Sequence, residues 1–253
     1  MLSEDELLRY GRQIVYPEFG ETGQEKLKAS NVFVVGVGGL GCAASMYLAY
    51  AGFGHITIVD DDAVELSNLN RQMLHWEKDI GKKKTASAAA KLRKINKSIK
   101  ITSVCKHITE GNADSIIEGA DAVIDGLDNF KTRFIINAAC VRNGVPLIHG
   151  GINGLVGQVT TIVPGKTPCL ACIYPTLPES EETIPVFGVT PALAASLQVM
   201  EAIKLIAGFG ETLQGRMLYF NGDSMEFACE DLARNPKCVV CGSGEQKRKR
   251  SRK

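Results

Sequence analysis

The chain has 253 residues, of which 45% are hydrophobic and 23% are charged, values typical of a soluble globular protein. Six basic residues lie in the last seven positions, so the rest carries 23 basic and 28 acidic residues, a net charge of −5. Nucleic-acid-binding proteins more often carry positive charge on the folded body, so the composition argues against a nucleic-acid partner. We expect residues 242–253 to form a disordered basic tail.

The sequence also argues against secretion and against a membrane span. The N-terminal residues, MLSEDELLRYGRQ, are charged and lack the apolar core of a signal peptide. The most apolar later segment, residues 191–210, is interrupted by Gln198, Glu201 and Lys204. Eight cysteines without a secretory signal predict a reducing compartment, and we expect a cytoplasmic protein.

Strand and helix patterns alternate through residues 1–146. Ser3 and Glu6 form a capping-box pattern ahead of an amphipathic run through Val15. Strands are predicted at 31–35, 55–60, 99–104 and 121–128, and helices at 40–51, 81–96 and 129–144. This order predicts a Rossmann-like α/β fold, a mostly parallel sheet flanked by helices, with ligands at the carboxyl ends of the strands.

The pattern changes after about residue 146. Residues 146–165 are typical of strands turned by glycines, and 216–227 of one or two more strands, which predicts an antiparallel C-terminal part. Residues 173–189, rich in Pro and Glu, are expected to form an exposed loop. A helix is then predicted with Thr190 as its N-cap, Pro191 at its first position and Gly208 at its end.

A glycine-rich turn follows the first predicted strand. It satisfies G-x-G-x-x-G through Gly36, Gly38 and Gly41, with Gly39 as an extra glycine. Such a turn lets phosphates approach the N–H groups at a helix N-terminus. Asp60, 19 residues beyond Gly41, lies where the hydroxyls of a ribose would be bound. These features suit NAD and ATP equally well.

Charged residues downstream favour a triphosphate. Asp60 and Asp62 precede Asn68 and Arg71, and Lys84 follows in GKKKT. A triphosphate needs cationic side chains and a divalent metal held by carboxylates, whereas a glycine turn largely suffices for the pyrophosphate of NAD. Asp128 ends the fourth predicted strand, at the mouth where Mg²⁺ would lie. Asp128 as the N-cap of the next helix remains an equal alternative.

Taken in order along the chain, the segments RYGRQ, GVGGLG, DDDAVELSNLNRQ, GKKKTASA and DGLDNFKTR resemble the HesA/MoeB/ThiF family. These are adenylating enzymes related to ubiquitin-activating enzymes. The resemblance covers the chain from about Leu7 to Cys241. It implies a single adenylating domain over 1–241, with a nucleotide-binding half (1–146) and a carrier-binding and zinc half (147–241).

The resemblance implies ATP-dependent activation of the C-terminal glycine of a small ubiquitin-like sulfur carrier that ends in Gly-Gly. Asp60 would hold the ribose, Arg71 and Lys84 would bind the phosphates with Asn68 supporting them, and Asp128 would bind Mg²⁺. Arg12 matches an arginine that reaches into the neighbouring subunit, which implies a homodimer. The implied catalytic residues are Asp128, Arg71, Lys84 and Arg12. The implied nucleotide-binding residues are Gly36, Gly38, Gly39, Gly41, Asp60, Asp62, Asn68, Arg71, Gln72, Lys84, Asp128 and Asn129.

Two C-x-x-C pairs provide a candidate metal site. Cys169 and Cys172 with Cys238 and Cys241 could form a closed, structural Cys₄ zinc site, or they could remain thiols or redox dithiols. The 65 residues between the pairs exceed the usual zinc-ribbon spacing of about 15–20. The same pairs occur in MoeB and ThiF, so the resemblance implies structural zinc that fastens the C-terminal end to the body.

Among the other cysteines and histidines, the roles of Cys105 and Cys229 stay open. Cys42 and Cys140 are expected to pack in the core, and His75 and His149 to be structural. The loop PTLPESEETIPVFG lacks the cysteine with which several relatives form a covalent link to the carrier. We therefore expect the chain to stop at the acyl-adenylate and to need a separate sulfur donor.

Three alternatives remain at this stage. The first keeps adenylation but replaces the carrier with a small-molecule or peptide carboxylate, which the missing loop cysteine permits. The second is an NAD-dependent oxidoreductase. The third is a nucleotide-binding scaffold without catalysis, which the full set of charged residues disfavours.

Overall fold

A computed structural model describes residues 1–176 and 184–242. The described chain forms one eight-stranded sheet flanked by helices. The strands are β1 (Asn31–Val35), β2 (His55–Val59), β3 (Lys100–Val104), β4 (Ala122–Asp125), β5 (Leu147–Asn153), β6 (Val156–Ile162), β7 (Arg216–Asn221) and β8 (Glu226–Asp231). The helices are α1 (Glu4–Ile14), α2 (Gly20–Ala29), α3 (Gly39–Ala51), α4 (Lys84–Ile95), α5 (Ala113–Ile116), α6 (Phe130–Asn143), α7 (Leu170–Ile173) and α8 (Val189–Ala207).

The sheet has the order β3-β2-β1-β4-β5-β6-β7-β8. The first five strands in this order pair in parallel, and β5 to β8 pair antiparallel. The mixed α/β fold class predicted from the sequence is therefore confirmed.

The strand order reverses between β1 and β4. From β1 the chain moves outward to β2 and β3, then crosses back and continues on the other side of β1 through β4. In open α/β sheets, ligands bind in the crevice at such a switch point, beyond the carboxyl ends of the strands. The glycine turn after β1 and the segment with Asp128 after β4 both lie at this crevice.

Helix α8 packs in the core against α3 and against strands β5 and β6. It is the one helix among the described residues that is long and apolar enough to cross a membrane. Its Gln198 and Glu201 are buried, however, and both hydrogen-bond to protein groups. Buried polar side chains with protein partners are typical of a core helix.

Two predicted helix starts are wrong. Helix α8 begins at Val189, with Gly188 rather than Thr190 at the N-cap position. The Thr190 hydroxyl instead donates to the carbonyl of Gly154 (2.8 Å), and Pro191 lies inside the first turn, where a helix does not need its N–H. Helix α4 begins at Lys84 and not at 81, because Gly81 has a left-handed φ of 84°.

Other local predictions are confirmed. Ser3 and Glu6 form both hydrogen bonds of the capping box of α1. Gly208 ends α8 in the left-handed conformation. The segment 216–227 contains β7 and the start of β8. Part of the loop predicted over 173–189, and the tail from 243 on, lie outside the described residues.

Candidate active site

The glycine turn is packed tightly against the loop that follows β4. Gly36 has a φ of 87°, and a Cβ there would lie 2.5 Å from the carbonyl oxygen of Gly126. A Cβ on Gly41 would lie 1.8 Å from the carbonyl oxygen of Gly36. At Gly38 it would meet only the Gln72 side chain, at 3.8 Å. Gly36 and Gly41 are therefore required by packing, whereas Gly38 leaves open space above the turn.

Helix α3 begins at this open space. Among the described residues no side chain caps its N-terminus, where Gly38 is the N-cap. The first N–H groups of an α-helix have no partner within the helix, and they carry a partial positive charge. The turn and helix start thus form a cradle for an anionic group such as phosphate.

Asp60 supports the cradle from behind. One carboxylate oxygen accepts the N–H of Val37 (2.7 Å) and the other accepts the N–H of Asp62 (2.8 Å). Burial raises the pKa of Asp60 above its ordinary value, against the opposing effect of these two hydrogen bonds. Each carboxylate oxygen retains a further lone pair, so Asp60 can still accept a ribose hydroxyl.

Two cationic side chains lie beside the cradle. The buried Lys84, the first residue of α4, forms an ion pair with the exposed carboxylate of Asp62 (2.7 Å). Arg71 donates to the carbonyl of Ser67 (2.8 Å), and its Cγ would lie 3.7 Å from a Cβ on Gly39. Of the two residues predicted to bind phosphate, Arg71 thus lies next to the turn, and Lys84 is paired with an acid beside it.

Asn68 and Gln72 occupy the buried wall of the site. Asn68 Oδ1 accepts the N–H of Glu65 (3.0 Å) and orders the short helix that precedes Arg71. Gln72 Oε1 is buried and has no hydrogen-bond partner among the described residues. The Nε2 atom of Gln72 is the one nearest to a Cβ on Gly38, and the orphaned oxygen can accept a hydrogen bond from a ligand hydroxyl or amino group.

Asp128 lies on the loop that follows β4. Its side chain is exposed, while Asn129 is the N-cap of α6 and accepts the N–H of Thr132 (2.9 Å). Asn129 also donates to Asp128 Oδ1 (3.3 Å). The capping alternative for Asp128 is therefore wrong, and its carboxylate remains available for a cation at the strand end.

Arg12 lies far from this site within its own chain. It is exposed near the end of α1, next to Gln13, whose amide donates to the carbonyl of Ala51 at the C-terminal end of α3 (3.1 Å). The 13 residues of α3 separate that end from the glycine turn by about 20 Å. Arg12 therefore does not join the site that the other predicted residues form.

The four predicted metal-ligating cysteines come together. Cys169, Cys172, Cys238 and Cys241 have all their sulfur atoms within 4.8 Å of one another. The Cys169–Cys238 and Cys172–Cys241 sulfur distances are 3.7 and 3.3 Å, and tetrahedral zinc with Zn–S bonds near 2.3 Å requires about 3.8 Å. Burial raises the pKa of Cys169 and Cys172, and it also acts to raise that of Cys238, which the N–H groups of Cys241 and Val240 and neighbouring thiols nevertheless bring to about 7. The cluster thus fits structural zinc.

The structure also reveals polar residues to which the sequence analysis gave no site role. Asp125 and Arg133 are buried with His149 directly beneath the Asp128 loop. Asp125 and Arg133 lie in the predicted fourth strand and in the helix predicted after it. Their spacing in the sequence gave no indication that their side chains meet. Pro191 and Gly188, at the start of α8, close the site from the other side against Gly39 and Asn70. Cys42, Cys140 and His75 are buried, as expected.

Comparison with known proteins gives consistent results. Residues 10–240 match the ThiF family. The chain is 42% identical to the SAMP-activating enzyme E1 of Haloferax volcanii over 249 residues, which cover 96% of this chain and 92% of that protein. It is 41% identical to the mouse (Mus musculus) adenylyltransferase and sulfurtransferase MOCS3, covering 95% of this chain but 54% of that protein.

Solved structures show the same fold. The crystal structure of E. coli MccB with MccA-N7isoASN superposes with a TM-score of 0.86 at 29% identity, covering 96% of this chain and 76% of that one. With the family match over most of its length and the similarity to its relatives, the chain belongs to the ThiF family and is an enzyme of the adenylyltransferase class, related to ubiquitin-activating enzymes.

Proposed function

We propose that this enzyme transfers the adenylyl group of ATP to the C-terminal glycine carboxylate of a small ubiquitin-like sulfur carrier ending in Gly-Gly. The observation that carries the proposal is the packing of the glycine turn after β1 against the loop after β4. Gly36 and Gly126 are in contact there, and the exposed Asp128 follows Gly126 by two residues, which supports a role for its carboxylate beside the anion cradle. Two relatives are named a SAMP-activating enzyme E1 and an adenylyltransferase and sulfurtransferase, which supports an E1-type activation linked to sulfur transfer.

Each polar residue of the site has a proposed role toward Mg·ATP. The α3 N-terminus, Arg71 and Lys84 hold the phosphates, and Asp60 holds the ribose. Asn68 and Asn129 keep the surrounding segments in place, Gln72 offers its unpartnered amide oxygen to the ligand, and Asp62 holds Lys84. Asp128 holds Mg²⁺, which when bound neutralises charge on the triphosphate.

The reaction needs no general base. A terminal carboxylate has a pKa of roughly 3.3–3.7, so it is ionised at neutral pH and can attack directly. One of its oxygens forms a bond to the α-phosphorus, the bond from that phosphorus to the bridging oxygen breaks, and pyrophosphate leaves with the electron pair. The protein's own contribution is to align the two anionic reactants and to stabilise the leaving charge with Arg71 and Lys84.

We further propose that the enzyme works as a homodimer in which Arg12 completes the partner's site. The position of Arg12 supports this, since it lies at the far end of α3 from its own chain's glycine turn. The Cys₄ cluster holds structural zinc in this proposal, and the single adenylating domain spans residues 1–241. A separate protein supplies sulfur, and the reaction takes place in the cytoplasm.

A second candidate acceptor is a peptide or small-molecule carboxylate. The resemblance to MccB favours it, because another MccB structure, with 28% identity and a TM-score of 0.83, is described as a microcin C7 biosynthetic enzyme bound to N-formylated MccA. A test with both acceptor classes distinguishes the two candidates.

The experiment is ATP–pyrophosphate exchange with candidate Gly-Gly carriers, with the same carriers lacking the last glycine, and with peptides. Intact carriers should support exchange and truncated ones should not. Asp128→Asn should abolish exchange. The matched control is Asp121→Asn at the opposite end of β4, where the new amide oxygen can still accept the N–H of Asn31. Exchange that persists in Asp128→Asn would remove Asp128 from the mechanism, and exchange only with peptides would favour the second candidate.

A further inference from the structure

A buried group of charged side chains lies directly beneath the loop that carries Asp128. Asp125, at the end of β4, His149 on β5 and Arg133 on α6 are at most 7% exposed. Removing charged groups from water is costly, and a well-packed apolar set at such a position is often as stable or more stable. Stability alone therefore does not account for this group, and its hydrogen bonds need a functional explanation.

The three side chains share one carboxylate oxygen. Asp125 Oδ2 lies 2.7 Å from His149 Nδ1 and 3.3 Å from Arg133 Nε, the latter as an ion pair without hydrogen-bond alignment. Burial lowers the pKa of His149, so the ring is neutral and donates from Nδ1. Burial raises the pKa of Asp125, but Arg133 and His149 together lower it below its ordinary value. Asp125 is thus a carboxylate held by one hydrogen bond from His149 and by the positive charge of Arg133.

This group holds both backbone polar groups of Leu127, the residue before Asp128. The Leu127 N–H donates to Asp125 Oδ1 (3.0 Å). The Leu127 carbonyl accepts from the Arg133 guanidinium (2.5 Å), which also donates to the carbonyl of Gly150 (3.0 Å). The backbone leading into Asp128 is therefore tied to three elements, β4, β5 and α6.

The residue after Asp128 is tied down as well. Asn129 caps α6 through the N–H of Thr132. From α8, Gln198 donates to the carbonyl of Asp125 (2.9 Å) and to that of Ile148 (2.9 Å). Asp128 is thus an exposed side chain on a backbone that is fixed on both sides.

The network continues toward the cysteine cluster. The Gln158 amide donates to His149 Nε2 (3.5 Å) and to the hydroxyl of Tyr174. Tyr174 lies two residues after Cys172, and its ring packs edge-on against His149 (6.4 Å) and Phe130 (5.4 Å). A continuous chain of contacts therefore joins the start of α6, the Asp128 loop and the segment that carries the first cysteine pair.

We propose that Asp125, His149 and Arg133 are positioning residues that hold the Asp128 loop in the geometry required for adenylyl transfer. The proposal rests on the proposed function, in which Asp128 acts on Mg·ATP. Nucleotide binding is left to the α3 turn, Arg71 and Lys84, and among the described residues the side chains of the network form no hydrogen bond or ion pair with them. Loss of the network should therefore lower kcat and leave KM for ATP nearly unchanged.

The test compares His149→Leu, which removes the donor to Asp125, with His149→Asn, whose amide can replace the Nδ1–H. The expected loss of kcat in His149→Leu, corrected for the folded fraction, is about 100-fold, the size of effect that a misplacement of about 1 Å produces. His149→Asn should restore most of it. The matched control is Thr161→Val, which removes a buried hydrogen bond to Glu201 (2.6 Å) elsewhere in the sheet. It should lower stability without lowering kcat.

A second readout does not depend on catalysis. Amide hydrogen exchange at Leu127, measured by NMR, should become at least tenfold faster in His149→Leu and stay slow in His149→Asn and Thr161→Val. Unchanged protection of Leu127, or a kcat per folded molecule equal to that of the wild type, would overturn the proposal. If the wild-type enzyme catalyses no ATP–pyrophosphate exchange, the proposed function fails. The rate of amide hydrogen exchange at Leu127 still decides whether the network holds the loop.

Discussion

Separate alanine substitutions of two glycines in the phosphate turn should distinguish residues needed for ATP binding from residues needed for folding. Gly38→Ala adds a methyl group to the open side of the turn, where only the Gln72 side chain lies within reach, at 3.8 Å. Gly41→Ala adds the same group where the carbonyl oxygen of Gly36 lies 1.8 Å away. The same chemical change thus meets space in one case and fixed backbone in the other.

The structure sets the size of both effects. In Gly41→Ala the Gly36 carbonyl must move by about 1.6 Å to reach an ordinary contact of 3.4 Å. Because the turn is also packed against Gly126, we expect a loss of roughly 3 kcal/mol or more in the free energy of unfolding. In a chain of this size that lowers Tm by about 6–12 °C. In Gly38→Ala the methyl group should displace a phosphate oxygen from one charge-assisted hydrogen bond, a loss of about 1.5–3 kcal/mol.

The assay measures Tm without nucleotide and KM for ATP in pyrophosphate exchange. Gly38→Ala should keep the wild-type Tm and raise KM about 10- to 150-fold, the factor that corresponds to that free energy. The main effect of Gly41→Ala should be a lower Tm. A Gly38→Ala enzyme with the wild-type KM would refute the assignment of this turn to phosphate binding.

Three further predictions test other parts of the site. Arg12→Ala and Asp128→Asn chains should each be inactive alone, but mixing equal amounts should restore about a quarter of wild-type activity. Half of the dimers are then mixed, and each mixed dimer contains one complete site out of two. No recovery would contradict the shared site. Cys238→Ser should lose bound zinc, measured by mass spectrometry of the metal, and lower Tm, whereas Cys229→Ser, exposed on β8, should do neither; zinc retained in Cys238→Ser would contradict the cluster. Burial lowers the pKa of His149 in the folded state, so the unfolded chain binds the proton first and stability falls as pH drops below about 6.5. His149→Asn should remove up to about 1.4 kcal/mol per pH unit of that slope in chemical denaturation between pH 6.5 and 5.5, and an unchanged slope would show that His149 is not held neutral.

Local sequence signals predicted much of the nucleotide-binding half. The capping box of Ser3 and Glu6, the strand over 31–35 and the glycine turn depend on neighbouring residues, and each formed as expected. The two cysteine pairs also came together in one cluster. That prediction needed only the number of cysteines and the spacing within each pair, both of which can be read from the sequence. Helix α2 was not predicted, since its sequence GETGQEKLKA contains two glycines and has a weak apolar pattern.

Features that depend on distant parts of the chain were not predictable from one sequence. Thr190 has an N-cap residue type, but the carbonyl of Gly154 from another strand takes its hydroxyl. The sequence left open whether Asp128 caps α6, and in the structure Asn129 is the cap, while distant residues hold the backbone of Leu127 just before it. Asp125, Arg133 and His149 lie on three different elements, so no spacing rule connects them.

The central claim is that a carboxylate becomes the acceptor of an adenylyl group. Incubation of the enzyme with Mg·ATP and its Gly-Gly carrier, followed by intact mass spectrometry, tests this directly. We predict a carrier that is heavier by one adenylyl group, lost again on treatment with pyrophosphate and absent with Asp128→Asn enzyme. A carrier of unchanged mass, alongside ATP cleaved to ADP and phosphate, would contradict the account.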